Sequence, residues 1–339
     1  MSGRLLPVGK LDVATLQRLL GAIPCNDPSV ILGPGVGRDV AVLDNGADEY
    51  LLAKTDPVTF ATDAIGYYVV NVNANDIATS GGKPRWFLAT ALLPEGAATE
   101  QMVTDIFGQI SAECGRLGVT LVGGHTEITY NLDRPIVVGQ MLGEVPKDKL
   151  ITPGGLQAGD LVILTKRPPL EGTALIAREK PDELRRAGFS DDALQRCAGM
   201  LFEPGISVLA DAQIAVRSGD VHAMHDPTEG GVATGLWEMA EAGGVGLRID
   251  EQAIPVLDEG RRICEVFGLD PLGLIASGSL LIACDARDGD VIAARLHEAG
   301  IAASIIGEAV DPAAGIQMVS EGRIRRIPRY DQDELTKIV

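Results

Sequence analysis

The sequence predicts a two-domain α/β protein of the α+β type, with mixed sheets packed against helices. Its 339 residues exceed the ~100 to 200 residues of an ordinary domain. In the first half the elements follow the order β-β-α-β-α-β-β, so some strands are adjacent and others are separated by helices. A turn-rich joint at Pro153-Gly154-Gly155 precedes a new strand. We therefore expect an N-terminal domain over residues 1–155 and a C-terminal α/β domain over residues 156–339.

Hydrophobic periodicity predicts the elements of the first half. The 63–79 helix is expected to stop at Ser80-Gly81-Gly82, and the strand before Gly123-Gly124 to end in a turn there. In chain order we expect a helix at 12–20, strands at 40–43 and 50–54, a helix at 63–79, a strand at 85–93, a helix at 99–117, and strands at 119–122 and 136–145.

The second half follows the same rules. The apolar run 272–284 is interpreted as a buried strand, because a membrane span needs ~18 apolar residues. In chain order we expect a strand at 161–165, helices at 173–179, 191–201 and 206–217, a strand at 222–224, a helix at 232–242, a strand at 280–283, a helix at 288–300 and a strand at 303–307.

Charge and cysteine content narrow the class of protein. With 29 basic and 47 acidic residues, the net charge of −18 argues against nucleic acid as a partner, although phosphate ligands remain compatible through a metal ion. The 5 cysteines are widely spaced without a CxxC pair, which favours reduced thiols in the core. The apolar stretch within residues 1–11 is too short for a signal peptide. We expect a cytoplasmic protein without a membrane partner.

Three aspartates are the candidate metal ligands of the first half. Asp39 opens one strand and Asp56 closes the next, so a hairpin would bring both to one end of the sheet, and Asp76 ends the following helix. Gathered carboxylates repel one another unless a cation joins them, and oxygen ligands suit Mg²⁺ bound to phosphate. Taken singly, Asp56 is also typical of a turn and Asp76 of a solvated helix end. Their convergence favours a metal site.

Polar side chains also interrupt the apolar helix at 63–79. Asn71 and Asn75 are four residues apart and share one face, which a helix packed only into a core does not need. Hydrogen bonding at the helix end would explain one of them. The pair therefore indicates a functional face.

Two glycine-rich segments precede or follow strands. The segment 33–39 has three glycines at alternate positions, but a strand follows it and not a helix, which excludes a dinucleotide-binding fingerprint. A flexible turn explains it equally well. In Gly123-Gly124-His125-Thr126-Glu127 the two glycines permit close approach of backbone to a ligand, and Thr126 and Glu127 supply oxygen atoms. His125 by itself is more typical of a structural histidine.

A third glycine-rich segment is His225-Asp226-Pro227-Thr228-Glu229-Gly230-Gly231, between a strand and a helix. Backbone N–H groups at such a helix start form an anion site, with Thr228 as the expected N-cap. His222 and His225 would fall on opposite faces of a strand, so we discount zinc.

Basic residues supply two further features. Lys166, followed by Glu171-Gly172-Thr173 before a helix, gives a cation and a second candidate phosphate cradle, although an ordinary helix start explains it as well. The basic patch near the C-terminus is more typical of a solvated face. Its members are Arg323, Arg325, Arg326 and Arg329.

Five motifs occur in one order along the chain. They are Gly35-Val36-Gly37-Arg38-Asp39-Val40-Ala41-Val42, Lys54-Thr55-Asp56, Asn75-Asp76-Ile77-Ala78, Gly123-Gly124-His125-Thr126 and His225-Asp226-Pro227-Thr228-Glu229-Gly230-Gly231. This set resembles the aminoimidazole ribonucleotide synthetase superfamily. With Gly268-Leu269-Asp270-Pro271 it looks most like the hydrogenase-maturation carbamoyl dehydratase branch. The resemblance implies a two-domain fold whose N-terminal domains pair into a barrel in a homodimer, with ATP and Mg²⁺ as cofactors.

The resemblance also implies residue roles. It places Asp39, Asp56 and Asp76 as metal ligands, with Glu127 as the substitute for a carboxylate that relatives carry where this chain has His125. It places Asp226 and Thr228 near the phosphates or the acceptor, as candidate catalytic residues. We expect Lys166 to pair with phosphate as the third candidate catalytic residue. Nucleotide contacts are expected at Gly37, Asn75, Gly123, Gly124, Thr126, Gly172, Thr173, Gly230 and Gly231.

Two further departures from the branch concern activity. Residues 336–339 stand where the branch has a Pro-Arg-Ile-Cys tail, so carbamoyl dehydration on such a tail is not expected, and Ser277-Gly278 stands for Glu-Gly. We expect an ATP- and Mg²⁺-dependent phosphotransferase or activating enzyme acting on an oxygen of an unknown small acceptor, with a maturation protein as a candidate partner. The alternatives are a small-metabolite kinase resembling thiamine-monophosphate kinase and a non-catalytic nucleotide-binding assembly factor.

Overall fold

The computed structural model of the chain describes residue 9 and residues 11–59 and 63–338. The expectation about a signal peptide falls mainly on residues 1–8 and 10, which lie outside the described residues. The helices are α1 (Val13–Gly21), α2 (Ile65–Thr79), α3 (Glu100–Leu117), α4 (Leu170–Glu179), α5 (Pro181–Arg186), α6 (Asp191–Gly199), α7 (Leu209–Ser218), α8 (Gly231–Gly243), α9 (Asp258–Phe267) and α10 (Gly289–Glu298). The strands are β1 (Val30–Leu32), β2 (Ala41–Leu43), β3 (Glu49–Val58), β4 (Lys83–Pro94), β5 (Thr120–Thr129), β6 (Ile136–Pro146), β7 (Leu161–Thr165), β8 (Val221–His225), β9 (Gly246–Asp250), β10 (Leu281–Cys284), β11 (Ala303–Val310), β12 (Ile316–Ser320) and β13 (Arg323–Arg326).

The chain divides into two compact units. The N-terminal unit comprises the described residues of Cys25–Gly33 and Asp39–Leu150. The C-terminal unit comprises those of Met1–Pro24, Pro34–Arg38 and Ile151–Val339. Each unit has its own sheet and its own core.

The sheet of the N-terminal unit has the strand order β1-β2-β3-β6-β4-β5. Only β4 and β5 pair in parallel within this sheet of described residues, and α3 connects them, as a parallel crossover requires. Helix α2 packs on β3, β6 and β4, and α3 packs on α2. The strands β4 and β6 alternate buried and more exposed residues, so one face of the sheet forms the core under α2.

The sheet of the C-terminal unit has the order β13-β12-β9-β11-β7-β10-β8, in which β9 and β12 are parallel. Helix α8 covers one face with Val232, Leu236 and Met239, which join the apolar residues of β7 and β9. A second cluster unites α4, α6 and α9 around Ile176 and Ile263. The start of α8 is therefore anchored to a buried sheet.

The predicted order of elements in the first half is confirmed, including the antiparallel β2–β3 pair and the mixed sheet. Two predictions are wrong. The strand at 119–122 does not end at Gly123-Gly124 but continues to Thr129, because it pairs along its length with β4. In the run 272–284 only Leu281–Cys284 is a strand, since the remainder is a buried loop with its own turns. The periodicity missed α5, α9, β1, β9, β12 and β13.

The structure also describes the cysteines and the apolar character of the helices. All 5 cysteines are free thiols, and all except Cys25 are buried, as expected of core residues. Within the described residues, none of the helices has both the length and the apolar character that a bilayer crossing demands.

Candidate functional site

In the N-terminal unit, the three predicted metal ligands are gathered around one lysine. Lys54 and Asp56 are two residues apart on β3, so both side chains lie on the face of the strand on which α2 packs. Asp76 lies in the last turn of α2. The Nζ atom of Lys54 lies 2.9 Å from Oδ2 of Asp76 and 3.5 Å from Oδ2 of Asp56. Burial lowers the pKa of Lys54, but the charges of Asp76, Asp56 and Asp39 outweigh it and raise that pKa. We call Lys54, Asp39, Asp56 and Asp76 the carboxylate cluster.

The donor set of the carboxylate cluster fits Mg²⁺. Its carboxylates come from three separate places in the unit and are hard oxygen ligands. Next to Asp56 lies Asn73, whose Nδ2 donates to the carbonyls of Val69 at 2.8 Å and Asp56 at 3.3 Å. The Oδ1 atom of Asn73 is buried without a hydrogen bond in the described part of the chain, which is uncommon for a buried oxygen. The ligand roles of the aspartates stay predictions.

Glu127 does not reach the carboxylate cluster within this unit. It lies on the edge strand β5, which is separated from β3 by β6 and β4. At ~4.8 Å per strand, the two strands are about 14 Å apart. The Glu127 carboxylate is exposed, with Oε2 at 3.5 Å from Nε2 of His125.

The two glycines of β5 have different surroundings. A Cβ atom at Gly124 would lie 2.0 Å from the carbonyl oxygen of Ala89, so glycine is needed there for the close pairing of β4 and β5. At Gly123 the nearest atom would be 3.9 Å away, which leaves room on that side. Thr126 follows on the same exposed strand. Packing thus accounts for Gly124, and the predicted ligand contacts of Gly123 and Thr126 stay predictions.

The asparagines of α2 serve different purposes. Nδ2 of the fully buried Asn71 donates to Oε1 of Glu113 at 2.6 Å, and Arg116 binds both Asn71 and Glu113. This network joins α2 to α3, so the interpretation of Asn71 as part of a functional face is unnecessary. Asn75 is also fully buried, one residue before Asp76.

In the C-terminal unit, the predicted anion site already binds an anion of the chain itself. Helix α8 begins at Gly231 and Gly230 is its N-cap, with φ +80°, so the prediction of Thr228 as N-cap is wrong. The N–H of Gly231 donates to the carbonyl of Thr228 at 3.0 Å. The N–H of Gly230 donates to Oδ2 of Asp333 at 2.7 Å. Asp226, buried after β8, precedes this turn.

Asp333 belongs to a C-terminal segment (330–337) that is bonded to the unit at several points. Oδ1 of Asp333 accepts from the N–H of Leu335 at 2.8 Å, and Oε2 of Glu334 accepts from the N–H of Asp270 at 2.9 Å. The hydroxyl of Tyr330 donates to Oδ2 of Asp270 at 2.5 Å. Leu335 is buried in the cluster of α4, α6 and α9. The segment is therefore an integral part of this unit.

A second buried carboxyl group lies close to Asp333. Glu171 is in the first turn of α4, and its Oε2 has no hydrogen bond among the described residues. Burial raises the pKa of Glu171 to about 7, against a hydrogen bond from Ser277 and helped by the charges of Glu229 and Asp333. Burial likewise raises the pKa of Asp333 to about 6, against three backbone N–H donors. Both groups are carboxyls whose ionisation is disfavoured.

Lys166 is committed to a buried ion pair. It has a positive φ of 56°, and its Nζ lies 2.9 Å from both carboxylate oxygens of Asp211 and from the carbonyls of Ser207 and Gly278. Asp211 also accepts from the hydroxyl of Thr165 at 2.7 Å. A contact of Lys166 with phosphate stays a prediction, and it would require this ammonium to leave one of these partners.

The remaining predicted nucleotide residues of this unit are engaged in packing or turns. The N–H of Gly172 donates to the carbonyl of Ile275 at 3.1 Å, and the hydroxyl of Thr173 donates to the carbonyl of Pro169 at 2.6 Å. These groups form no open phosphate cradle. Gly37 adopts a φ of +70°, which explains the need for glycine in its turn.

The two histidines and the basic patch bind within the chain. Nδ1 of His222 lies 2.9 Å from Oδ1 of Asp160, whereas Nε2 of His225 lies 3.0 Å from Oε2 of Glu238. The two rings thus have separate partners, as their predicted positions on opposite faces require. In the patch, Arg325 binds Glu251 and Arg329 binds Glu241, while Arg326 lies 4.7 Å from the centre of the Trp237 ring.

Sequence reasoning missed Lys54 and Asp333 as members of the two sites. Lys54 had a local signal, because a lysine two positions before Asp56 in a strand must share its face. Asp333 had none, since its partner Gly230 is 103 residues away in the chain. Only folding brings that carboxylate to the start of α8.

With this geometry in place, comparison with known families defines the class. The model of the N-terminal domain of AIR synthase related proteins matches residues 37–145, and that of the C-terminal domain matches residues 157–318. The chain belongs to the AIR synthase related family, and it is similar to the hydrogenase-maturation branch. A carbamoyl dehydratase HypE of Cupriavidus necator is 31% identical over 284 residues, which are 81% of this chain and 77% of that protein. A HypE of Rhizobium leguminosarum is 30% identical over 309 residues, with 88% and 82% covered.

Solved structures show the same fold. HypE in complex with ATP has a TM-score of 0.73 at 23% identity, covering 93% of this chain and 92% of that one. HypE in a HypE–HypF complex has a TM-score of 0.73 at 22% identity, with 87% and 94% covered. The protein AaThiL, complexed with AMPPCP and TMP, has a TM-score of 0.69 at 19% identity, with 88% and 91% covered. The chain therefore has the two-domain α/β fold with mixed sheets of this family.

Proposed function

We propose that the protein is an ATP- and Mg²⁺-dependent enzyme that activates an oxygen of a small acceptor by phosphorylation. The carboxylate cluster carries the proposal, because three carboxylates converge at one end of the sheet in the N-terminal unit of an AIR synthase related chain. Asp39, Asp56 and Asp76 are the proposed metal ligands. When bound, Mg²⁺ would neutralise the phosphate oxygens.

The chain's own groups have defined tasks in this proposal. Asp56 is more accessible than Asp76, because its side chain is 44% exposed and that of Asp76 is 8% exposed. Asp76 is held in position by α2, so the pair offers one exposed and one buried carboxylate. In the C-terminal unit, the N–H of Gly230 donates to the carboxylate of Asp333, and we propose that a phosphate oxygen replaces this carboxylate when ATP binds. Asp226 and Thr228 flank that turn as proposed acceptor contacts.

The names of the relatives refine the reaction type. A carbamoyl dehydratase removes the elements of water from a carbamoyl group. This name favours an ATP-driven dehydration over a simple transfer of phosphate to an acceptor. In such a reaction the γ-phosphoryl group is transferred to the acceptor oxygen, and that oxygen then leaves with the phosphate. We therefore favour an activating enzyme that releases ADP and phosphate over a kinase that leaves a phosphorylated product.

The Asp56→Asn variant tests the proposed metal role. It removes one negative charge from an accessible carboxylate, so we expect Mg²⁺-ATP binding at least tenfold weaker in titration calorimetry, with an unchanged fold by circular dichroism. The matched control is Asp44→Asn, which removes an aspartate of the same unit that is paired with Lys147 at 2.9 Å. Unchanged nucleotide affinity in Asp56→Asn would refute a ligand role for this cluster.

The wild-type protein separates the alternatives. ADP and free phosphate formed together with a candidate acceptor indicate the activating enzyme. ADP with a stable phosphorylated acceptor indicates a small-metabolite kinase of the thiamine-monophosphate type. Binding of ATP without turnover on any acceptor indicates a nucleotide-binding assembly factor, and absence of ATP binding refutes all three.

We also propose that two copies of the chain pair through their N-terminal units. The edge strand β5 is exposed along most of its length. Val122 and Ile128 of this strand are 52% and 62% exposed, and Tyr130, which follows it, is 73% exposed. An apolar edge of this kind is unfavourable in water unless a partner covers it. Sedimentation of the wild-type chain as a dimer is the expected result, and a stable monomer at micromolar concentration would contradict it.

By analogy with the HypE–HypF complex, a maturation protein is the proposed further partner, in the cytoplasm.

A further inference from the structure

The place of Lys54 within the carboxylate cluster has a consequence for metal binding. Its ammonium forms an ion pair with Asp76, and both side chains are mostly buried, 14% and 8% exposed. The Asp76 oxygen that a metal would bind is thus already engaged at 2.9 Å. Asp56 and Asp39 act on the same ammonium.

We propose that Lys54 is the resident cation of the carboxylate cluster and that a divalent ion binds there only in exchange for its ammonium. The proposal rests on the proposed metal role of this cluster and adds the residue that sets its metal affinity. Lys54 then acts as a positioning residue, because it holds the carboxylates together before the metal arrives.

The physical basis is a competition for one oxygen. Without a cation, Asp39, Asp56 and Asp76 would repel one another at close range. A single ammonium relieves this repulsion, since its charge lies within 3.5 Å of two of the carboxylates. A divalent ion at the same oxygen of Asp76 would lie within a few ångströms of Nζ, and at that distance two cations repel by several kcal/mol even at an effective dielectric constant of about 20. The ammonium must therefore move when the metal enters.

The alternative is that Lys54 only maintains the local structure. In that case its removal would let the carboxylates move apart and metal affinity would fall. Removal of the Lys54 ammonium therefore raises metal affinity if the ammonium is exchanged for the metal, and lowers metal affinity if Lys54 only maintains the local structure.

The Lys54→Met variant decides between them. We expect Mn²⁺, used alone as the probe in electron paramagnetic resonance titrations, to bind Lys54→Met at least tenfold more tightly than the wild type. Lys147→Met is the matched control, because it removes the lysine of the Lys147–Asp44 pair in the same unit and should leave Mn²⁺ affinity unchanged. Equal or weaker Mn²⁺ binding by Lys54→Met, or no Mn²⁺ binding by either protein, overturns the proposal.

The wild-type chain provides a second measurement that does not depend on the folding of a variant. Brief acetylation with and without Mn²⁺, followed by mass spectrometry, should show Lys54 several-fold more reactive when Mn²⁺ is present, since the ammonium has left Asp76. Lys147 should react equally under both conditions. If the acetylation of Lys54 is the same with and without saturating Mn²⁺, the proposed exchange is overturned. Since neither experiment contains nucleotide, tight Mn²⁺ binding combined with normal nucleotide affinity in Asp56→Asn would refute the proposed function and leave the exchange intact.

Discussion

The carboxylate cluster and the start of α8 hold buried carboxylates in opposite ways. In the N-terminal unit, Asp76 is balanced by the full positive charge of Lys54. In the C-terminal unit, Asp333 is held by backbone N–H groups at the start of α8, and Glu171 by Ser277. An ammonium favours the ionised carboxylate, whereas dipoles offset burial only in part, which is why the pKa values of Asp333 and Glu171 are raised.

The difference indicates what each site can accept. A carboxylate cluster that already contains a cation is preorganised for another cation. A helix start that already binds a carboxylate is preorganised for another anion. The ammonium of Lys54 thus occupies the place proposed for a metal ion, and the carboxylate of Asp333 occupies the place proposed for a phosphate oxygen.

The largest expected effect comes from Asp76→Asn. The amide has the shape of the carboxylate but turns no negative charge toward Lys54, so a mostly buried ammonium loses its nearest partner. We expect the free energy of unfolding to fall by about 3 kcal/mol in urea titrations at neutral pH.

Asp44→Asn is the control for this substitution, because it breaks a more exposed ion pair with Lys147 and should change stability little. If Asp76→Asn proved as mild as Asp44→Asn, the ammonium of Lys54 would not be balancing the charge of the carboxylate cluster.

A smaller effect, with a defined pH dependence, is expected for Glu171→Gln. The folded-state pKa of about 7 lies above the usual value of 4.5, so the folded protein holds this proton more tightly than the unfolded chain. The stabilisation is fully present below about pH 4.5 and is lost as the pH rises through 7, with a total on the order of 3 kcal/mol. The glutamine variant lacks this titration, so its stability relative to wild type should rise between pH 4.5 and pH 8.

Urea titrations of both proteins at several pH values measure this difference. Glu298→Gln, at an exposed position paired with Arg295, serves as the control and should show no such trend. A constant stability difference between Glu171→Gln and wild type over that pH range would mean that Glu171 is ionised in the folded state as it is in the unfolded one.

Much of the candidate site in the N-terminal unit could be predicted from sequence, because its signals are local. Asp39 and Asp56 flank a hairpin whose antiparallel pairing follows from two short apolar runs, and Asp76 ends a helix with clear stop signals. The same reasoning misjudged Asn71, because its partners Glu113 and Arg116 lie on another helix. It also placed Glu127 with the aspartates, which the strand order of the sheet separates from β3.

The site of the C-terminal unit was less predictable. The glycines before α8 indicated an anion-binding helix start, where the structure has the carboxylate of Asp333. The N-cap was assigned to Thr228, since side-chain capping is the usual pattern and a glycine cap leaves no polar signal. Lys166 was expected to face phosphate, yet Asp211, which binds it, comes from α7 and could not be paired with it by spacing.

By itself, the sequence determined the class of this protein: the order of most helices and strands, the carboxylates of the hairpin and the glycine-rich helix start are all encoded within short windows of the chain. The tertiary structure decided which charges meet. Lys54 finds Asp76 because α2 packs on β3, and Asp333 finds Gly230 because the C-terminal segment returns to α8. Such contacts depend on packing between distant segments, and a charged group buried by that packing must take whatever partner the fold provides.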